Sequence, residues 1–319
     1  MRNLFLNTKE HRPRAWLRLI IVIGLFILST LILVGITTVI AIKFTDANAK
    51  EIETLLKNPL AVSFIELLTI WISYLVASRW LDRRPLVDFG FRFNRLWWRD
   101  FAFGLLLGAA LMVLIFGVEL LAGWVTVTGT LQPMVIGQPF WSGILLFAAV
   151  FLCVGISEEM LSRGYLLRNL AEGLQGKYLN PKMALLTAYI LSSMVFGVLH
   201  AANPNTTLIS TILLIAGGLF LGLGYILTGD LAIPIGLHIT WNFFQGNVFG
   251  FPVSGRLTNV TVVAIKQSGP VLFTGGAFGP EAGLIGLAAI AIGCVIILLW
   301  VRKTRGTAKL EEHLAIYTA

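Results

Sequence analysis

"FLCVGISEEMLSRGYLLRNL", residues 151–170, starts as a membrane helix and then sets Glu158 and Glu159 side by side, with Arg163 one turn on. The run leading into it, from about residue 141, is apolar and about 20 residues long, enough to cross a bilayer as helix. A carboxylate in such a setting costs several kcal/mol unless it is paired or neutralised, and two adjacent ones cost more. Helical spacing offers a division of labour. Glu159 and Arg163 stand at i and i+4 and can pair, while Glu158 points about 100° away and keeps its oxygens free.

The rest of the chain is of the same kind. Its 319 residues are 57% hydrophobic and 13% charged, and the mean hydropathy is +0.84; soluble domains carry about 25% charged residues. Apolar runs at roughly 15–42, 60–79, 101–126, 141–162, 183–200, 207–227, 231–250 and 282–301 predict an all-α, polytopic membrane protein. The expected architecture is about eight transmembrane helices around an intramembrane active-site cavity, in a single domain, 1–319. With the N-terminus inside, 19 of the 24 lysines and arginines fall on inside segments. Only Lys43, Lys50, Lys57, Arg256 and Lys266 fall outside. This bias predicts a multi-pass protein of the cell membrane with cytoplasmic N- and C-termini.

Basic loops facing anionic lipid account for the +8 net charge, so membrane lipid, and no nucleic acid, is the expected partner. Ala47-Asn48-Ala49 has the small-x-small look of a cleavage site. The apolar run before it is about 28 residues, however, against about 7–15 in a signal peptide, and is read as an uncleaved anchor. Cys153 and Cys294 both lie in spans, which argues against a disulfide framework. Residues 45–58 read as a short amphipathic outer segment, and 251–280, rich in Gly, Pro and Thr, as the longest external connection.

Ionisable residues inside spans are rare and mark candidate functional sites. Glu66 and Glu119 are isolated and read as structural; Glu281 reads as an acid complementing the dipole at the outer end of the last helix. Of four histidines, only His200 and His238 lie in spans, and Asn242 follows His238 on the same face one turn later. If the fourth span continues to about residue 173 and the fifth starts near 182, Glu158 and His200 stand roughly 22 and 27 Å from the connecting turn.

A carboxylate and a histidine converging on one point can hold and deprotonate a water molecule. A second histidine with an asparagine amide supplies donors for an oxyanion. These parts suit amide hydrolysis by activated water. No serine or cysteine nucleophile stands beside a histidine in these motifs, and there is no His-Glu-x-x-His signature. Two histidines and a glutamate also make a ligand set, so the cofactor stays open: none, or a divalent metal such as zinc held by Glu158, His200 and His238.

"EEMLSR" (158–163), "FGVLH" (196–200) and "HITWN" (238–242) follow the patterns Glu-Glu-x-x-x-Arg, Phe-x-x-x-His and His-x-x-x-Asn, in that order within predicted spans. In this the chain resembles the CAAX-protease and bacteriocin-processing family, intramembrane endopeptidases related to type II CAAX prenyl endopeptidases. The likeness is concentrated in residues 139–250, with "RPLVDFGF" (84–91) a looser shared feature. It implies that Glu158 and His200 activate water, that Glu159 and Arg163 support them, and that His238 and Asn242 stabilise the oxyanion. It also implies a peptide or protein substrate, prenylated, bacteriocin-like or otherwise membrane-associated, arriving from the membrane or the cytoplasmic side. Two other classes compete. A proton-coupled transporter would use the same residue types, though no inverted repeat is visible. A non-catalytic scaffold or bacteriocin immunity protein would need the ion cluster but not the histidines.

Overall fold

Asparagine–proline pairs and other capping residues set where the helices begin. A computed structural model describes residues 4–8 and 10–317; Arg2 and Lys9 of the inside set lie outside the described residues. A two-residue hairpin, β1 (Leu6–Asn7) with β2 (Arg12–Pro13), leads into the long helix α1 (Ala15–Thr45). The amphipathic outer segment forms α2 (Ala49–Leu56), started by a capping box between Asn48 and Glu51. Asn58 caps α3 (Pro59–Val76), Asn94 caps α4 (Arg95–Leu121) and Asn180 caps α7 (Pro181–Leu199), with Pro59 and Pro181 in the first turns of their helices.

Between α4 and α7 run β3 (Val125–Gln132), α5 (Phe140–Glu159), a π-helical stretch Met160–Leu167, and α6 (Arg168–Leu174). The end near 173 and the restart near 182 expected from the sequence are met. After α7 come α8 (Leu208–Thr228), α9 (Ala232–Phe243), β4 (Thr261–Gln267), α10 (Val271–Thr274) and α11 (Leu284–Arg305).

This is a polytopic all-α membrane protein with only small sheets. Among the described residues seven helices are long and apolar enough to cross a membrane, against the eight expected. The difference is the seventh predicted run, 231–250. It forms α9 and a π-helical continuation, Phe244–Val248, and residues 232–238 are all buried. Packed against α4, α5 and α8, it is a core helix whose apolar character faces protein. The second departure lies within the external connection. Residues 261–267 pair antiparallel with 125–132, from Val125 opposite Gln267 to Gln132 opposite Thr261. Cys153 and Cys294 are free thiols.

Charge sorts the helix ends. At one end Arg12, Arg18, Arg84 and Arg168 converge on Glu172, and Arg18 also reaches Asp82 at 3.1 Å, all of them buried. Asp100 there receives Arg305 and the Trp300 indole, and Leu231 N–H donates to the Gly90 carbonyl. At the other end the β3–β4 sheet caps the bundle, and the Gln267 amide donates to Glu119 at 2.8 Å.

Glycines decide how closely α9 approaches α4. A Cβ on Gly104 would stand 2.5 Å from the Ile233 carbonyl oxygen, and one on Gly236 would stand 2.9 Å from Leu105 N. The two backbones are therefore in contact, as small residues permit between membrane helices. Thr240 donates to the Leu105 carbonyl at 2.8 Å and holds α9 in rotation. That rotation aims His238 at α5.

Candidate active site

The two glutamates of "EEMLSR" diverge as their spacing requires. Glu159 is the last residue of α5 and is completely buried; Glu158 is about a quarter exposed and faces a cavity. Arg163 Nη1 meets Glu159 Oε1 at 2.7 Å, so the expected i,i+4 pair is present. Arg163 Nη2 donates to the Gly218 carbonyl of α8 at 2.7 Å, and its guanidinium lies 4.6 Å from the Phe196 ring centre. The π-helix begins directly after the carboxylates, a distortion common at functional sites. The Tyr74 hydroxyl of α3 donates to the Met160 carbonyl at this junction.

His238 turns its Nδ1 to the same Glu159 oxygen at 2.8 Å. A carboxylate only accepts, so Nδ1 carries the proton. Glu159 thus binds α5, the π-helix and α9 through one buried oxygen. Asn242, one turn beyond His238, is half-buried and lines the cavity beside it.

His200 comes from the irregular end of α7. Pro204 holds Asn203 in an extended conformation, so the helix stops and His200–Ala202 close as a 3-10 turn. Its Nδ1 lies 2.8 Å from the Phe196 carbonyl, an acceptor only, so Nδ1–H donates and the Nε2 lone pair is free. That Nε2 faces Glu158 Oε2 at 3.8 Å, and Glu158 Oε2 has no hydrogen-bond partner within the protein. A gap of this length between two acceptors suits a shared water.

All four of Glu158, His200, His238 and Asn242 line one cavity of about 770 Å³. Glu159 and Arg163 stand behind it. The six residues singled out from the sequence are therefore brought together in two layers, four side chains on the cavity wall and a buried pair behind them.

Three further residues belong to this region. Phe196 lies tilted against His200 at 4.8 Å between centroids, meets His238 edge-on at 6.2 Å and lies under Arg163. Its place in "FGVLH" was the available signal. Glu66 of α3 lines the cavity, which its isolation in sequence concealed. Glu281, expected as a dipole-complementing acid, lies instead in a 3-10 turn ahead of α11. It is buried against the cavity, accepting from Ser254 N–H at 2.6 Å and from the Gln245 amide. Burial pushes its carboxyl up to about 7. The folded protein then holds a proton that the unfolded chain releases near pH 4.5, so stability falls as pH rises through that window and levels off above 7. Glu281→Gln removes the titration. The melting temperature of the native protein should drop more between pH 5 and 8 than that of the variant, by an amount equivalent to at most about 3 kcal/mol. Equal slopes would show that Glu281 does not titrate there.

The fit to a metal is poor. Among the described residues no group of three or more His, Cys, Asp or Glu side chains is arranged to hold an ion. Glu158, His200 and His238 share a cavity without forming a ligand set.

Residues 139–244 match a family model, Rce1-like, described as type II CAAX prenyl endopeptidase Rce1-like. No curated protein and no solved structure matches the chain. The matched stretch runs from the start of α5 into the end of α9 and contains all six residues above.

Proposed function

We propose that this Rce1-like domain, within a multi-pass membrane protein, hydrolyses a peptide bond with a water molecule activated by Glu158 and His200. The carrying observation is the 3.8 Å gap between Glu158 Oε2 and the free Nε2 of His200 at the wall of the cavity. A water placed there donates one hydrogen to each acceptor and turns its lone pairs outwards. As its oxygen attacks the peptide carbon, Glu158 takes the proton. The C–O bond forms, the carbonyl oxygen becomes an oxyanion, and Glu158 returns the proton to the leaving nitrogen as the C–N bond breaks.

The oxyanion is received by Asn242 and His238. With Nδ1–H donated to Glu159, His238 offers a donor from Nε2 only as an imidazolium, and the Glu159 carboxylate is the counter-ion that form requires. Arg163 holds that carboxylate in place from the far side. Substrates in keeping with an apolar, membrane-embedded cavity are membrane-associated peptides, prenylated or bacteriocin-like.

Purified full-length protein should cleave members of a library of prenylated and unprenylated membrane-associated peptides, and a chelator should leave the rate unchanged. His238→Ala should lower turnover about 10²–10³-fold, the usual loss for an oxyanion donor, with no change in metal content. Stoichiometric zinc that disappears in His200→Ala and His238→Ala would overturn the metal-free route. Tight peptide binding without any cleavage would overturn hydrolysis in favour of a scaffold.

A further inference from the structure

The ends of the bundle differ in both charge and access. At the cation-rich end the helices are closed by the buried Arg12, Arg18, Arg84 and Arg168 around Glu172 and Asp82. The cavity opens at the opposite end. Its rim includes Lys57 and Pro59 at the start of α3, Asn203 after α7, and Ser254, Arg256 and Leu257 of the connection before β4. Lys57 and Arg256 belong to the five cations outside the basic set. His200 sits close to this rim, since Asn205, five residues on, donates to the Gly255 carbonyl at 3.3 Å.

Cation-rich ends of membrane proteins stay in the cytoplasm. We infer that the catalytic cavity opens at the extracytoplasmic face and receives its peptide from that side. Of the two approaches expected from the sequence, from the membrane or from the cytoplasmic side, this excludes the cytoplasmic one. It also separates the substrate classes left open above. A prenylated C-terminus presented in the cytoplasm would meet the closed end, whereas a peptide exported across the membrane, or anchored in its outer leaflet, would meet the mouth. The peptide class rests on the hydrolytic reading; the sidedness does not.

Cysteine labelling tests the sidedness without any cleavage assay. In a full-length Cys153→Ser, Cys294→Ser background, Lys57→Cys and Leu257→Cys report the mouth. Lys177→Cys and Tyr178→Cys, in the connection between α6 and α7, report the closed end; Leu257 is 62% and Tyr178 89% exposed. Melting temperatures confirm folding, and labelling in detergent confirms that all four thiols react. A membrane-impermeant maleimide applied to intact cells should label the first pair and reach the second only after permeabilisation. Any other pattern overturns the inference. In sealed right-side-out vesicles a peptide added outside should be cleaved without permeabilisation. Cleavage only of peptide enclosed inside overturns the assigned side while leaving the hydrolytic reading intact; cleavage on neither side, with correct labelling, overturns hydrolysis alone.

Discussion

Glu158→Gln should lower peptide cleavage by about 10³-fold or more while the melting temperature stays within a degree or two of the native value. The change keeps the shape of the side chain and removes its basicity, and general-base assistance is worth about 10²–10⁴ in rate. Stability should be spared because Glu158 forms no buried ion pair. The side chain it faces, His200, stands 3.8 Å away, and both are partly exposed to the cavity. Peptide binding, followed with a labelled substrate, should persist. Near-native turnover in Glu158→Gln would sink the assignment of the base. A collapse in melting temperature would instead show that Glu158 is part of the structural ion cluster.

Arg163→Ala should fail in a different way, by losing stability and activity together. The variant strands the Glu159 carboxylate, which is wholly buried and has Arg163 and His238 as its partners. It also leaves the Gly218 carbonyl without its donor. Breaking a buried pair from one side costs about 3–5 kcal/mol, which should appear as a clear drop in melting temperature in detergent. Activity should vanish because His238 is oriented through Glu159. The double variant Glu159→Leu with Arg163→Leu separates these effects. With both charges gone, stability should recover towards the native value, while His238, deprived of its counter-ion, should still support little turnover. Loss of activity with an unchanged melting temperature in Arg163→Ala would mean that Arg163 touches substrate.

The contrast between these two neighbouring positions shows how far local geometry reaches. Glu159 and Arg163 are four residues apart on one helix, so their pairing, and the opposite exposure of Glu158, follow from helical pitch alone. The lengths of the apolar runs likewise placed most of the spans before any packing was considered.

What the sequence determined was therefore whatever depends on neighbours within a turn or two: the membrane class, most spans, the sorting of cations between segments, the Glu159–Arg163 pair and the six candidate residues. Only the tertiary structure decided that His238 takes Glu159, 79 residues away, and that Phe196 joins both histidines and Arg163. It also decided that Glu66 and Glu281 face the cavity, that α9 is an interior helix, and that β3 finds β4. The physical reason is common to all of these. An apolar residue has the same composition whether it faces lipid or protein, and a buried polar group is satisfied by whichever partner packing brings to it. Those partners come from distant helices, whose rotations are set by close contacts such as Gly104 and Gly236 between α4 and α9.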